Sequence, residues 1–163
     1  MADLVTHAAS AILVKAATGW RLPAVFVLGT LAPDMFCRVP SIVLGGIHNY
    51  VTELPPVVTH IWQPLHQPAG MVLLAYALCL FFQESTRKAV FFNLLGGMGL
   101  HLVLDMLQDH HGAGYQLLFP FSTHAVEWGL MGSESTVYWA IPLAMLAVLV
   151  TRKRLKRETP GAF

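Results

Sequence analysis

Five long apolar segments constrain the fold of this chain more than any other feature of its sequence. Each is too long for a typical strand, and none alternates apolar with polar residues as a half-buried strand does. The segments cover residues 4–19, 22–36, 68–83, 89–107 and 135–150. The sequence therefore predicts an all-α bundle of about four to five helices, in a single domain over residues 1–163.

The chain has too little charge to cover the surface of a soluble domain. Charged residues make up 12% of the sequence and hydrophobic residues 55%, whereas soluble domains contain about 25% charged residues. We therefore expect a polytopic bundle in a lipid bilayer; a soluble, very apolar bundle is the alternative. A membrane span needs about 20 apolar residues, which the last three segments reach with their uncharged flanks. The first two are compatible with a helical hairpin packed against the others.

The distribution of basic residues predicts how the bundle is oriented. A net charge of +1 offers no basic field to nucleic acid, so no nucleic-acid partner is expected. The positive-inside rule places the basic tail, 151–163, in the cytoplasm, with Arg21 and Lys88 on the same side. Segments 37–67 and 108–134 and the N-terminus are then external. One external layer thus receives His7, Asp34, His60, His66, His101, Asp105, His110, His111 and His124.

The fourth segment carries the most informative pair, His101 and Asp105. A spacing of four residues stacks both side chains on one helix face, about 6 Å apart, where they can share one ion. Ionisable groups inside a membrane segment are costly and normally face the bundle interior or a wet cavity. A His–Asp hydrogen bond that only ties helices together is the alternative for this pair.

Other segments supply further candidate ligands, each with a simpler alternative. Asp34 follows Pro33 at the predicted end of the second segment, where it is either a ligand or a helix cap. His60 and His66 precede the third segment and suit either metal binding or an interfacial layer with Trp62. Mixed imidazole and carboxylate ligands suit Zn²⁺ first, then Mn²⁺ or Fe²⁺, as one or more ions.

The order of these motifs resembles that of a known family. "THAAS", "APD", a His pair, and "HLVLDML" followed by "LLFPFS" resemble the membrane-bound metal-dependent hydrolases, which include damage-regulon-associated proteins of the bacterial inner membrane. The resemblance covers residues 4–122 and implies a multi-pass protein of that membrane. It implies a metal site formed by His7, Asp34, His60, His66, His101 and Asp105. Two departures are "HIWQPLHQP", which lacks an arginine after the first His, and "PDMF", which lacks a second carboxylate.

A more distant likeness is to the zinc-dependent phospholipase C superfamily, which implies phosphoester chemistry. By that likeness, His111, His124 and Glu127 would be the remaining ligands. The residues themselves leave two interpretations open for this region, because His110, His111, His124 and Glu127 form either a second metal position or a solvated loop.

These observations predict a membrane-embedded hydrolase that uses a metal-activated water. The predicted catalytic residues are Asp34 and Asp105, one of which accepts a proton or bridges two ions. The depth of the site favours a lipid or lipid-linked ester as the substrate, with the bilayer as the other partner. Two alternatives use the same cluster without catalysis: a metal or proton conduit, and a structural protein in which His–Asp pairs only join helices.

Overall fold

The computed structural model describes residues 4–19, 21–48, 61–109, 114–132 and 135–158. Five α-helices follow one another: α1 (Leu4–Thr18), α2 (Pro23–His48), α3 (Pro68–Cys79), α4 (Glu84–Met106) and α5 (Thr136–Glu158). A single 3₁₀ turn, Gln63–His66, leads into α3. The described residues contain no named strand, only isolated bridges that pair Gln108 with Met131 and Tyr115 with Val126. The all-α prediction and the number of helices are confirmed.

The second helix is longer than the sequence predicts. It continues to His48 with Pro33 and Pro40 inside it, so residues 37–48 are helical and the prediction that Asp34 ends a helix is wrong. A proline inside a helix removes one backbone hydrogen bond and crowds the carbonyl four residues earlier. For Pro33 that carbonyl belongs to Gly29. Neighbouring helices can compensate for such a break in an apolar bundle, and Asp34 consequently lies within the helix.

The last helix also extends beyond its apolar segment. The sequence predicts a helix over 135–150, yet α5 continues to Glu158 and contains the basic stretch "TRKRLKR". Lys and Arg have good intrinsic helix propensity, so the end of the apolar run does not end the helix. Arg154 reaches across to α1, where its Nη2 donates a hydrogen bond to the Ala16 carbonyl oxygen at 2.6 Å.

Helices α2, α3 and α4 enclose the apolar core. Its fully buried members include Ala32 on α2, Ala75 on α3 and Leu94 on α4. The backbones of α2 and α4 approach closely at two glycines. A Cβ at Gly97 would overlap the Phe26 carbonyl oxygen, and one at Gly29 would overlap the Leu94 carbonyl oxygen. Small residues allow this close helix contact, which lies about one turn before the polar residues of both helices.

Basic side chains and the predicted ligands occupy opposite ends of the bundle. Lys15 Nζ donates a hydrogen bond to Asn93 Oδ1 on α4 at 3.2 Å, and Arg154 meets the end of α1. His101 and Asp105 lie two to three turns further along α4 from Asn93. The end marked by Lys15 and Arg154 is called the basic end below, and the opposite end is called the site end.

Among the described residues, α4 is long and apolar enough to cross a membrane, and α1, the Pro23–Cys37 part of α2, and α3 are shorter apolar helices. The bundle nevertheless exposes large apolar side chains on several helices. They include Leu73 and Tyr76 on α3, Phe92 on α4, and Ile141 and Leu149 on α5.

Candidate metal centre

Helix α4 supplies the two innermost polar side chains of the site. His101 and Asp105 are fully buried, and His101 Nε2 lies 3.4 Å from Asp105 Oδ2. The four-residue spacing places both on the face of α4 that packs into the bundle. His7, near the start of α1, is also fully buried, and its Nε2 lies 3.4 Å from Asp105 Oδ1. Asp105 therefore has an imidazole beside each of its two oxygens.

The 3₁₀ turn before α3 brings His66 to the same point. His66 Nε2 lies 2.5 Å from His101 Nε2, 3.7 Å from Asp34 Oδ1 and 3.7 Å from Asp105 Oδ2. Gly70 permits this placement, because a Cβ there would overlap the Pro64 carbonyl oxygen of the turn. His66 is thus the side chain that joins Asp34 of α2 to the pair on α4.

Four buried side chains together form a group that could hold a metal ion. One ligand atom from each of Asp34, His66, His101 and Asp105 lies within 4.8 Å of the others. His7 stacks beside them, with its ring centroid 4.3 Å from that of His101. We call these five residues the His/Asp cluster. Its members come from α1, α2, the 3₁₀ turn and α4, so residues that are distant in the sequence lie together in the fold.

The chemistry of the donor set fits a divalent cation. Two carboxylates buried this close together are unfavourable unless positive charge accompanies them. Either a protonated imidazole or a metal ion can supply that charge. Imidazole nitrogen and carboxylate oxygen are both ordinary ligands of zinc, and two Nε2 atoms already face each other. The buried Asp105 Oδ1 has no hydrogen-bond partner among the described residues, although His7 lies beside it. The cluster therefore fits a metal ion without selecting which one.

Tyr115 is part of the site, although the sequence gives no sign of it. Its hydroxyl donates a hydrogen bond to Asp105 Oδ2 at 2.6 Å, and its ring packs edge-on against His66 at 5.4 Å between centroids. Paired backbone hydrogen bonds of 2.9 Å with Val126 fix its position. Tyr115 lies outside every apolar segment and belongs to no helical pattern, so no periodicity could have identified it.

The remaining predicted positions do not extend the cluster in the part of the chain that the structure describes. His60, His110 and His111 lie outside the described residues. His124 is exposed in the 114–132 segment and Glu127 is half-buried. No second group of three or more potential ligands occurs among the described residues. The choice between a second metal position and a solvated loop therefore stays as the sequence left it, because two of the four residues involved, His110 and His111, are not described.

Comparison with known proteins identifies the family. The sequence model of the family described as "YdjM inner membrane protein" matches residues 1–162, nearly the whole chain. That description gives a location in the inner membrane and no chemical activity. No curated protein and no solved structure matches the chain. The match supports the predicted membrane location, and the chain belongs to the YdjM family of bacterial inner membrane proteins.

Proposed function

We propose that this protein is a multi-pass, metal-dependent hydrolase of the bacterial inner membrane. Its substrate would be a phosphoester or another ester of a lipid or lipid-linked molecule. One observation carries the proposal: side chains from four separate parts of the chain converge on the buried His/Asp cluster. Buried carboxylates and imidazoles are costly, and ionisable groups within membrane bundles are commonly functional.

The five residues of the cluster would hold the ion, with Zn²⁺ as the first expectation and Mn²⁺ or Fe²⁺ as alternatives. A bound divalent cation would supply Lewis acidity, which lowers the pKa of water toward ~7 and stabilises negative charge on an ester oxygen. His66 comes from a short turn instead of a long helix, so a small shift of that turn can adjust the spacing between its imidazole and α4.

The two carboxylates would have different tasks. Asp105 is held on both sides, by His7 at Oδ1 and by His101 and Tyr115 at Oδ2, which fixes its orientation and suits a ligand. Asp34 comes from a different helix and approaches the cluster through His66. We therefore propose that Asp34 accepts the proton and that Asp105 serves as an oriented ligand of the ion.

A lipid substrate is proposed from the position of the site. The site-end segment 114–132 carries large exposed apolar side chains, among them Leu118, Phe121 and Trp128. Apolar and aromatic side chains of this kind are typical of the membrane–water interface. A substrate embedded in the bilayer can reach such a surface laterally, whereas a water-soluble ester has no comparable attraction to it.

Metal analysis of the purified protein is the experiment that tests the proposal. We expect about one ion or more per chain in the wild type, and loss of that metal in the double variant His101→Ala/Asp105→Ala. His124→Ala is the matched control, because His124 is exposed and outside the cluster. Hydrolysis of a phospholipid panel should then follow metal content. Absence of metal in the wild type, even after each ion is added back, would contradict the hydrolase proposal.

Burial of the whole cluster favours one second candidate. His7, His101 and Asp105 have fully buried side chains, and Asp34 and His66 are nearly so. A site this enclosed suits an ion that only joins helices together. The two functions separate in one variant, since Asp34→Asn in a catalytic protein, where the other four residues of the cluster remain, should lose much more of its hydrolysis than of its metal. A wild type that contains metal, unfolds on chelation and hydrolyses no ester would favour the structural function.

A further inference from the structure

A groove between α1 and α5 lies away from the His/Asp cluster. It has a volume of about 510 Å³ and is lined by apolar residues of both helices, such as Leu4, Ala8 and Ile12 on α1 and Ala144 and Val148 on α5. These α1 residues form a stripe at four-residue spacing, and the buried side chain of His7 is not among the residues that line the groove. The volume lies within the usual range of ligand pockets, about 300–1,000 Å³.

One positive charge lies at an end of this apolar groove. Arg152 is an exposed lining residue, Thr151 lies beside it, and none of the lining residues that the structure describes is acidic. The groove is therefore amphiphilic: a long apolar wall ends at the guanidinium of Arg152. Arginine binds phosphate oxygens through a planar fork of N–H donors. The complementary ligand has an apolar chain and an anionic head.

The surroundings of Arg152 reinforce this polarity. It belongs to the basic end of the bundle, where α1 and α4 contribute further cations. The described basic side chains of that end include Lys15, Arg87, Lys88, Lys153 and Arg154. Basic residues at a membrane surface attract anionic lipids by about 1 kcal/mol each. The basic end would therefore concentrate anionic headgroups beside the opening of the groove.

The length of the groove matches one leaflet. From Ala144 to Arg152 is eight residues of α5, or about 12 Å at 1.5 Å per residue. Half of a hydrocarbon core of about 30 Å is about 15 Å. A chain with its phosphate at Arg152 would thus lie in a groove about as long as one leaflet is thick. A groove for a water-soluble amphiphile would not need to match the thickness of a leaflet.

We propose that the groove between α1 and α5 is a binding site for one anionic phospholipid, with an acyl chain against the apolar wall and the phosphate at Arg152. The site is independent of the metal centre, because none of the residues that line it belongs to the His/Asp cluster. It would anchor α5 to α1 at the leaflet that the basic end faces.

Native mass spectrometry of the detergent-purified protein tests the proposal. Phosphatidylglycerol and phosphatidylcholine with identical acyl chains are titrated separately, and the lipids retained per chain are counted. The wild type should retain one phosphatidylglycerol at lower concentration than phosphatidylcholine. Arg152→Gln should weaken phosphatidylglycerol binding about fivefold, whereas Lys153→Gln, which changes an exposed neighbour outside the groove, should weaken it clearly less. Equal effects of the two variants, or equal retention of the two lipids, would contradict a defined phosphate position.

A second variant pair tests the apolar wall. Ala144→Phe fills the groove and should reduce binding of both lipids, while Leu149→Phe, at an exposed position of α5 that does not line the groove, should leave binding unchanged. Metal content and the unfolding midpoint of each variant report separately on folding and on the metal site. If Ala144→Phe instead converts a wild-type dimer into a monomer, the groove is a contact between copies of this chain and the lipid proposal is wrong.

Discussion

Asp105 is the residue on which the site depends most. It lies against His7, His101, His66 and Tyr115, which come from four different parts of the chain. A buried carboxylate is costly unless hydrogen bonds or cations accompany it. Removing any one neighbour therefore affects how the whole cluster is held, and the effects of single substitutions should not be additive.

The hydroxyl of Tyr115 should control metal affinity. It donates a hydrogen bond to Asp105 Oδ2 at 2.6 Å. Tyr115→Phe would remove that hydrogen bond, so the Asp105 carboxylate could rotate, while the aromatic ring would stay packed against His66. Partners that orient metal ligands typically change metal affinity by about 10- to 100-fold, and we expect a loss of this size. Competition with a zinc-binding dye in detergent measures it.

The control for Tyr115→Phe is Tyr76→Phe, since Tyr76 is an exposed tyrosine of α3. A general effect of losing a hydroxyl would lower metal affinity in both variants, whereas an effect on the site would lower it only in Tyr115→Phe. Tighter metal binding in Tyr115→Phe would contradict the prediction, because it would mean that the hydroxyl competes with the ion for Asp105 Oδ2.

At the residue scale, sequence reasoning identified the residues of the His/Asp cluster better than their surroundings. His7, Asp34, His66, His101 and Asp105 were all predicted, because charge placement puts them in one layer and ionisable groups in apolar segments need partners. Tyr115 and the buried Gln108 were missed. Both lie after α4, where neither helical periodicity nor charge distinguishes a side chain that points inward.

At the scale of helices, the contact between α2 and α4 determines whether Asp34 can meet the pair on α4. Gly29 and Gly97 let the two backbones touch, about one turn before Asp34 on α2 and His101 on α4. The sequence showed a group of glycines at 96, 97 and 99 without indicating which one makes the contact. Only Gly97 lies where a Cβ would overlap backbone, while a Cβ at Gly99 would meet nothing within 4 Å.

Alanine at these two glycines should therefore have opposite effects. Gly97→Ala must separate α2 from α4, and overpacking of this kind costs about 1–3 kcal/mol. Gly99→Ala adds a Cβ into open space and should stabilise the helix by up to about 1 kcal/mol. Thermal unfolding in detergent and metal content measure both consequences. Equal unfolding midpoints for the two variants would show that the close contact contributes nothing.

Helix boundaries were harder to predict than helix number, for a physical reason that α2 illustrates. Proline usually marks the end of a helix in water, because its ring and missing N–H break the hydrogen-bond pattern. Inside an apolar bundle the alternative, an irregular backbone whose N–H and C=O groups have no hydrogen-bond partner, costs more. The helix therefore continues through Pro33 and Pro40, as α5 does through Pro142.

At the scale of the whole molecule, charge is segregated along the bundle. Lys15 and Arg154 mark the basic end, whereas the His/Asp cluster and Tyr115 lie at the site end. Cytoplasmic loops of membrane proteins carry the excess of Lys and Arg. We therefore predict that the basic end faces the cytoplasm and that the His/Asp cluster faces the opposite side of the inner membrane.

Cysteine labelling tests this orientation directly. Thr123→Cys introduces an exposed thiol in the 114–132 segment at the site end, and Lys153→Cys introduces one at the basic end. The native Cys37 and Cys79 are both buried, so the unmodified protein is the background control.

A membrane-impermeant maleimide added to intact spheroplasts should label the first variant. The second should react only after the membrane is opened, because α5 would carry the chain from one side to the other. Labelling of both variants in intact cells would mean that α5 does not cross the bilayer, and labelling of the second alone would reverse the orientation.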